Sequence, residues 1–234
     1  MAFTHFTVKK IVHGTGSVKE APKEVRNLKG SRVLIVMDPG LAKLGVQKPL
    51  EDALTEGGIA WELFAKAELE PSMDSIQACA DAAKAFGAEV LIGFGGGSAL
   101  DTTKAASVLL SNEGPIERYF GINLVPNPTM PKILIPTTAG TGSEMTNISV
   151  LADTKNGGKK GVCSDYMYAD VVLLDAAFTM GLPPRVTACT GVDAFVHAME
   201  SFCGIAATPF TDALDLAAMK LVCANIRQAY ANGS

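Results

Sequence analysis

The sequence is short of every feature that marks a specialised environment. It has no excess of positive charge: 20 Lys and Arg stand against 24 Asp and Glu in 234 residues, a net charge of −4. That leaves no electrostatic footprint for a nucleic-acid backbone or an anionic membrane surface. It has no long apolar run either. The longest uncharged stretch, Tyr119 to Pro131, is 13 residues and carries three prolines, too short and too broken to span a bilayer. The opening MAFTHFTVKK lacks the apolar core of a secretory signal. The five cysteines, Cys79, Cys163, Cys189, Cys203 and Cys223, form no CxxC pair, which argues against a thiolate zinc site and for a reducing compartment. What is present is ordinary: 48% hydrophobic and 19% charged residues describe a folded chain. A cytoplasmic setting and a small-molecule partner, with no nucleic acid and no membrane, are the expectation.

From residue 32 to about 175, short apolar runs alternate with helix-period segments, the pattern of a parallel sheet covered by helices. The runs are Arg32 to Met37, Glu89 to Phe94, Lys132 to Ile135 and Val171 to Leu174, near-continuous as expected of strands buried on both faces. Gln47 to Glu56, Met73 to Phe86 and Ala99 to Leu110 read as helices. Ile148 to Ala152 and Lys159 to Cys163, joined across Asn156-Gly157-Gly158, read as a hairpin on one edge. After Gly181 strand signals stop. Pro183-Pro184 suits the first turn of a helix that runs to Phe202 before Gly204, and a second helix starts near Thr208-Pro209, with Phe210, Leu214, Ala217 and Leu221 on one face. The division expected is residues 1–181 as a nucleotide-binding α/β domain and residues 182–234 as the first helices of a second domain, too few to enclose a core.

Three loops follow strands on the edge where open α/β sheets bind ligands. Gly95-Gly96-Gly97-Ser98 lies between a buried strand and a helix, where bare backbone N–H groups and the positive helix end attract a phosphate. Ser98 with Asp101 also has the spacing of a helix-capping box, a structural alternative. Asp38-Pro39-Gly40 puts a carboxylate at a strand end, able to hold a ribose hydroxyl, yet it reads equally as a turn. The acidic residue precedes the glycine loop instead of following it, so the arrangement is not the usual dinucleotide fingerprint. Thr137, Thr138, Thr141 and Ser143 crowd four hydroxyls after a third strand. Farther on, Asp193 and His197 stand four residues apart on one helix face, with Glu200 a turn beyond; alone, that spacing is more often a surface hydrogen bond than half a metal site. His5 and His13 read as surface or edge residues.

Taken together, GFGGGSALDTTKA (93 to 105), IPTTAGTGSE (135 to 144) and VLLDAAFTMGLPPRVTACTGVDAFVHAME (172 to 200) resemble the iron-containing alcohol dehydrogenases. The resemblance implies a Rossmann-like nucleotide-binding domain followed by the start of an all-helical C-terminal domain, a truncated dehydroquinate synthase-like fold, with the active site in a cleft between domains. It implies NAD as cofactor and Fe²⁺, or alternatively Zn²⁺, as metal, with an alcohol or aldehyde as substrate and a homo-oligomer in the full-length form. Residue by residue, Asp38 matches the ribose-binding acid, and Gly95, Gly96, Gly97 and Ser98 match the pyrophosphate loop. Thr137, Thr138, Thr141 and Ser143 match the loop beside the nicotinamide, and Lys160 matches a lysine that reaches the ribose. Asp193 and His197 match the first two of four metal ligands. The other two are histidines in the family, and no histidine follows His197 here. A non-catalytic nucleotide-binding fragment and a metal-free reductase of the maleylacetate type are the alternatives; a sugar-acid cyclase of the dehydroquinate synthase type ranks last, because residues 183–234 offer only Arg185, Lys220 and Arg227 for a phosphorylated substrate.

Overall fold

The near-continuous apolar runs become the inner strands of one parallel sheet in the computed structural model, which describes residues 3–233. In chain order the elements are β1 (Ile11–His13), α1 (Ala21–Asn27), β2 (Arg32–Val36), α2 (Pro39–Leu44), α3 (Lys48–Glu56), β3 (Ala60–Phe64), α4 (Met73–Phe86), β4 (Val90–Gly95) and α5 (Gly97–Leu109). There follow β5 (Gly121–Ile122), β6 (Lys132–Pro136), β7 (Ile148–Ala152), β8 (Lys159–Cys163), β9 (Val171–Leu174), α6 (Pro184–Cys203) and α7 (Pro209–Ala231). The main sheet has six strands in the order β1-β9-β6-β4-β2-β3, every pair of them parallel. Its four inner strands are the four apolar runs of the sequence. The two strands that the runs did not reveal, β1 and β3, are the edges. An edge strand keeps one side in water and needs no continuous apolar run, and β3, AWELF, alternates exposed and half-buried positions accordingly.

The hairpin is present, with β7 and β8 antiparallel from Ile148↔Cys163 to Ala152↔Lys159. It does not join the main sheet as expected. β8 pairs instead with the two-residue strand β5, and the three strands form a sheet of their own. Hydrogen bonds that join Ser143, Thr146, Ile148, Ser149 and Val150 to Lys104 and Asp101 of helix α5 fix the hairpin beside that helix.

By packing, the chain divides into two compact units. One comprises Phe6–Pro136 with Ser143–Asp175; the other comprises Thr137–Gly142, the chain from Ala176 on and the described residues up to His5. The first holds both sheets. Helix α5 is buried along nearly its whole length there, and Gly93 in β4 explains how it lies so close to the strands. A Cβ at Gly93 would stand 2.6 Å from Thr103 Oγ1 and 2.8 Å from Leu134 Cδ2, so any side chain would push helix and sheet apart. In the second unit α6 and α7 pack on one another. Gly191 sits where a Cβ would meet Ile226 Cδ1 at 2.2 Å. The face of Phe210, Leu214 and Leu221 is not what α7 offers α6: Leu214 is 55% and Leu221 65% exposed.

At the N-terminal end of β6, the opposite end from the loops of interest, Lys132 is buried. Its Nζ donates to Thr129 Oγ1 at 2.7 Å and to Tyr166 O at 3.2 Å. Burial pulls its pKa down to about 8 from 10.5, against the opposing pull of Asp170. The folded pKa lies below the unfolded one, so between these values the unfolded chain holds a proton that the folded chain has released, and stability rises with pH across that window. Equilibrium urea unfolding from pH 8 to pH 10.5 is expected to show a gain of up to about 3 kcal/mol that Lys132→Met removes. An unchanged pH slope in the variant would contradict this account of Lys132.

Candidate functional site

Strands β2 and β4 are neighbours, but the chain leaves β2 outward to β3 and then crosses back to β4 and on to β6. The direction of winding therefore reverses between β2 and β4, and the loops at their C-terminal ends diverge to leave a crevice, the usual ligand position in such sheets. Asp38 follows β2 and Gly95-Gly96-Gly97 follows β4, so two of the candidate loops border that crevice. The Asp-Pro-Gly segment is the first turn of helix α2 instead of a free turn. Asp38 is its N-cap, and Oδ1 accepts from the Gly40 and Leu41 N–H groups, both at 2.9 Å. This satisfies two orphan donors of the helix with one oxygen. The other, Oδ2, lies 3.9 Å from the point a Cβ of Gly95 would occupy, which brings carboxylate and glycine loop together.

Gly95 has φ +152°, and a Cβ there would stand 2.8 Å from Ala99 Cβ; glycine is required on both counts. Helix α5 then starts at Gly97, with Gly96 as N-cap and no side chain capping its first turn. The capping box expected of Ser98 and Asp101 is not formed. The Ser98 hydroxyl donates to Leu69 O instead, because α5 begins two residues earlier than its apolar pattern indicates and Ser98 already lies inside it. No side chain caps the first N–H groups of α5, the kind of helix start that favours an anion.

The busiest residue nearby is one the sequence analysis did not single out. Lys104 lies fully buried on α5. Its Nζ donates to Ser143 O at 2.9 Å, to Thr146 Oγ1 at 3.1 Å and to Ile148 O, and stands 3.0 Å from Asp101 Oδ1. Burial lowers its pKa and the Asp101 carboxylate opposes the shift. Asp101 in turn accepts from Ser143 Oγ at 2.5 Å and Val150 N at 2.9 Å, and its carbonyl accepts from Ser149 Oγ. The loop from Ser143 to Val150 is wound around one ion pair. Ser143, named for the nicotinamide loop, is buried with its hydroxyl turned to Asp101. The only signal in the sequence was a lysine in a run of small and apolar residues, which helical periodicity does not flag. Beside it, burial raises the pKa of Glu144.

Lys160 is exposed on β8, opposite Leu151 of β7. Its neighbour Lys159 pairs with Glu70 at 3.2 Å. Because Ala152 bridges to Ser72 and Ser98 bonds Leu69, residues 69–72 connect the hairpin to the glycine loop.

In the second unit, Thr137 is buried and its Oγ1 has no partner among the described residues, Thr138 is half-buried and Thr141 exposed. The loop rests on α6: a Cβ at Gly140 would meet Thr190 Cβ at 2.7 Å, Thr190 O at 2.8 Å and Thr190 Cα at 3.0 Å. One turn along α6, Asp193 Oδ1 and His197 Nε2 stand 3.7 Å apart, with His197 exposed. That is too long for a hydrogen bond. Two donors each about 2.1 Å from one tetrahedral ion stand about 3.4 Å apart, so the pair fits two positions of a mixed oxygen and nitrogen shell for a divalent metal. No group of three or more His, Cys, Asp or Glu residues converges anywhere among the described residues, and Glu200 makes no hydrogen bond to His197.

Removing the fully buried Lys104 ammonium would leave the half-buried Asp101 carboxylate with only two neutral donors, Ser143 Oγ and Val150 N. Lys104→Met is expected to cost about 3–5 kcal/mol in urea unfolding, the range for breaking a buried ion pair. A loss below about 1 kcal/mol would mean that the pair is as replaceable as a surface one.

Comparison with known proteins identifies the family. Residues 8–176 match the family described as iron-containing alcohol dehydrogenase, and residues 187–234 match its C-terminal family. A sulfoacetaldehyde reductase of Bilophila wadsworthia (strain 3_1_6) is 82% identical over 233 residues, covering 100% of this chain and 60% of that protein. Long-chain-alcohol dehydrogenase 1 of Geobacillus thermodenitrificans is 38% identical, covering 94% of this chain and 56% of its own length. Among solved structures, a 1,3-propanediol oxidoreductase superposes with TM-score 0.97 at 31% identity, over 100% of this chain and 61% of its own. The sulfoacetaldehyde reductase of Bifidobacterium kashiwanohense in complex with NAD⁺ does so with TM-score 0.92 at 30% identity, over 100% and 62%. The chain spans about 60% of the length of these relatives. With the family match running through both sheets and on into α6 and α7, the chain belongs to the iron-containing alcohol dehydrogenase family.

Proposed function

We propose that this chain forms the cofactor-binding part, and the first half of the metal shell, of an NAD-dependent, metal-dependent aldehyde reductase and alcohol dehydrogenase whose substrate is sulfoacetaldehyde. The substrate rests on the 82% identity to the Bilophila reductase. The cofactor rests on one structural observation, the Asp38 carboxylate standing beside Gly95 at the crevice between β2 and β4. In this reading residues 1–181 bind the dinucleotide and residues 182–234 begin the helical metal-binding domain. No helix among the described residues is long and apolar enough to cross a membrane.

The residues divide the work by chemistry. Gly95, Gly96, Gly97 and Ser98 offer the pyrophosphate the uncapped start of α5 and a surface without side-chain bulk. Asp38 Oδ2 accepts from a ribose 2′-hydroxyl and repels a 2′-phosphate, while Oδ1 stays engaged in the cap. Thr137, Thr138 and Thr141 provide hydroxyls for the nicotinamide carboxamide, and the buried, unpartnered Oγ1 of Thr137 supports a polar guest there. Ser143 is held by Asp101, and Lys160 is the lysine assigned to the ribose. Asp193 and His197 hold one side of a divalent iron or zinc ion. When bound, NADH supplies the hydride that reduces the carbonyl carbon, and the metal polarises the carbonyl oxygen. A second reading, a dinucleotide-binding module without catalysis, is favoured by the single observation that only two metal donors converge.

Loss of NADH absorbance with sulfoacetaldehyde, followed with added Fe²⁺ or Zn²⁺, tests the proposal. The 234-residue chain is expected to bind NADH and hold metal weakly, with little turnover, while the same chain carried to its relatives' full length turns over. NADH binding without turnover in both forms would favour the module. In parallel, fluorescence titration is expected to show tighter binding of NADH than of NADPH. Asp38→Gly should erode that preference while costing only a few tenths of a kcal/mol, because glycine is an acceptable N-cap. Equal affinity for both dinucleotides in the unaltered chain would refute the role given to Asp38.

A further inference from the structure

The turn between β7 and β8 is built around Asp153, a buried residue that faces an exposed Asn156-Gly157 pair. Its Oδ1 accepts from the Lys155 and Asn156 N–H groups at 3.1 and 3.0 Å, the local bonding of an Asx turn. The Asn156 side chain is caught as well. Its Nδ2 donates to Asp153 Oδ2 at 3.0 Å and to Oδ1 at 3.3 Å, and the Gly157 N–H donates to the Asp153 carbonyl at 2.9 Å. The Asn156 amide holds the Asp153 carboxyl below the usual carboxylate range, so this acceptor stays charged at neutral pH. Beyond these bonds the turn is open. Gly157 and Gly158 have φ of +78° and +86°, and a Cβ at either would meet nothing within 4 Å.

An asparagine followed by glycine can close on itself, because no side chain crowds the attacking nitrogen. The Gly157 nitrogen gives its proton to a solvent base and bonds to Asn156 Cγ; the Cγ–Nδ2 bond breaks, and ammonia leaves with a proton taken from solvent. Water then opens the succinimide at one carbonyl to give aspartate or at the other to give isoaspartate. Both reacting groups of this pair, the Asn156 amide and the Gly157 N–H, are bonded to Asp153, and closure has to release both.

We propose that Asn156 is a site of spontaneous deamidation, that Asp153 sets its rate by holding the amide, and that the product unpins the tip of the β7–β8 hairpin. The product carboxylate replaces the donor bonds of Nδ2 with a second negative charge against Asp153, and like charges at that range repel. Isoaspartate also lengthens the backbone by a carbon atom inside a turn whose ends are bonded, Asp153 N to Gly158 O at 3.0 Å. The next pair outward, Ala152 with Lys159, is the first to loosen.

The test incubates the 234-residue chain at mildly alkaline pH and follows conversion of Asn156 by peptide mass spectrometry. Asn232-Gly233, the other Asn-Gly pair of the sequence, is the internal reference. In urea the two pairs are expected to react at similar rates, and folding is expected to slow Asn156. Asp153→Asn keeps a carbonyl oxygen for the backbone N–H groups and puts an amide NH₂ where Oδ2 accepts from Asn156. It should speed Asn156 about tenfold in the folded chain, the factor for one hydrogen bond to a charged group, and leave Asn232 unchanged. Glu117→Ala removes the ion pair that ties Lys155 at 2.6 Å without touching the Asn156 bonds, and should change neither rate. Asn156→Asp supplies the product directly and should lower hydrogen-exchange protection over residues 152–159. Circular dichroism confirms that each variant is folded. The rate claim is overturned by an Asn156 rate that is equal in the folded and urea-unfolded chains, or that Asp153→Asn leaves unchanged. Equal acceleration by Glu117→Ala overturns it too, because a loose turn and not a held amide would then set the rate. Unchanged protection in Asn156→Asp overturns the unpinning.

Discussion

A lysine ammonium removed from water has to be met on every side by acceptors, and at Lys104 that requirement organises the larger unit. The helix that presents it is pressed onto β4 across Gly93, so the charge enters a region with no solvent to relieve it. Acceptors come from one turn back on the helix, Asp101, and from the loop after β6, Ser143, Thr146 and Ile148. Once those carbonyls are turned inward, the path of residues 143–150 is settled. Strand β7 starts within this path, at Ile148, and its Val150 N donates to the same carboxylate. The small sheet, the loop and the glycine-bearing start of α5 are thus arranged about a single ion pair. An isolated charge there would be ruinous and a satisfied one is rigid.

Two lysines show how the same residue type divides between ends of the sheet. Lys132, at the N-terminal end of β6, is also buried, but neutral acceptors surround it at closest range and its pKa falls to about 8. Lys104, at the C-terminal end, is in contact with a carboxylate. Parallel sheets bring their divergent loops to the C-terminal end, so an ion pair there can brace loops that offer backbone N–H groups and hydroxyls to a ligand. At the other end a buried amine has only the packing of the strand starts to serve.

The smaller unit follows a different rule. Its two helices meet through glycine, at Gly191 against Ile226, and the threonine loop meets α6 through Gly140. The apolar stripe of α7, with Leu214 and Leu221 exposed, lies away from these contacts, so its hydrophobic pattern says nothing about what holds the two helices together.

The sequence by itself determined the inner strands, because burial on both faces demands unbroken apolar runs, and it determined α6 and α7, because proline and glycine punctuate their ends. It also marked Asp38, the glycine loop and the Asp193-His197 pair, since a carboxylate at a strand end, glycine before a helix and an i,i+4 donor pair are local patterns that a short window contains. It left β1 and β3 unmarked, because an edge strand half in water need not look apolar, and it misplaced the hairpin, because pairing with a two-residue β5 is a long-range choice. Only the tertiary structure decided that Asp38 caps α2 with one oxygen and turns the other toward Gly95, that Ser98 bonds Leu69 instead of capping α5, and that Lys104 and Asp101 carry the loop after β6. Each of these depends on partners 29 to 49 residues away in the chain or on atoms brought near by strand order, and the choice among possible hydrogen-bond partners is made by packing, which local sequence does not encode.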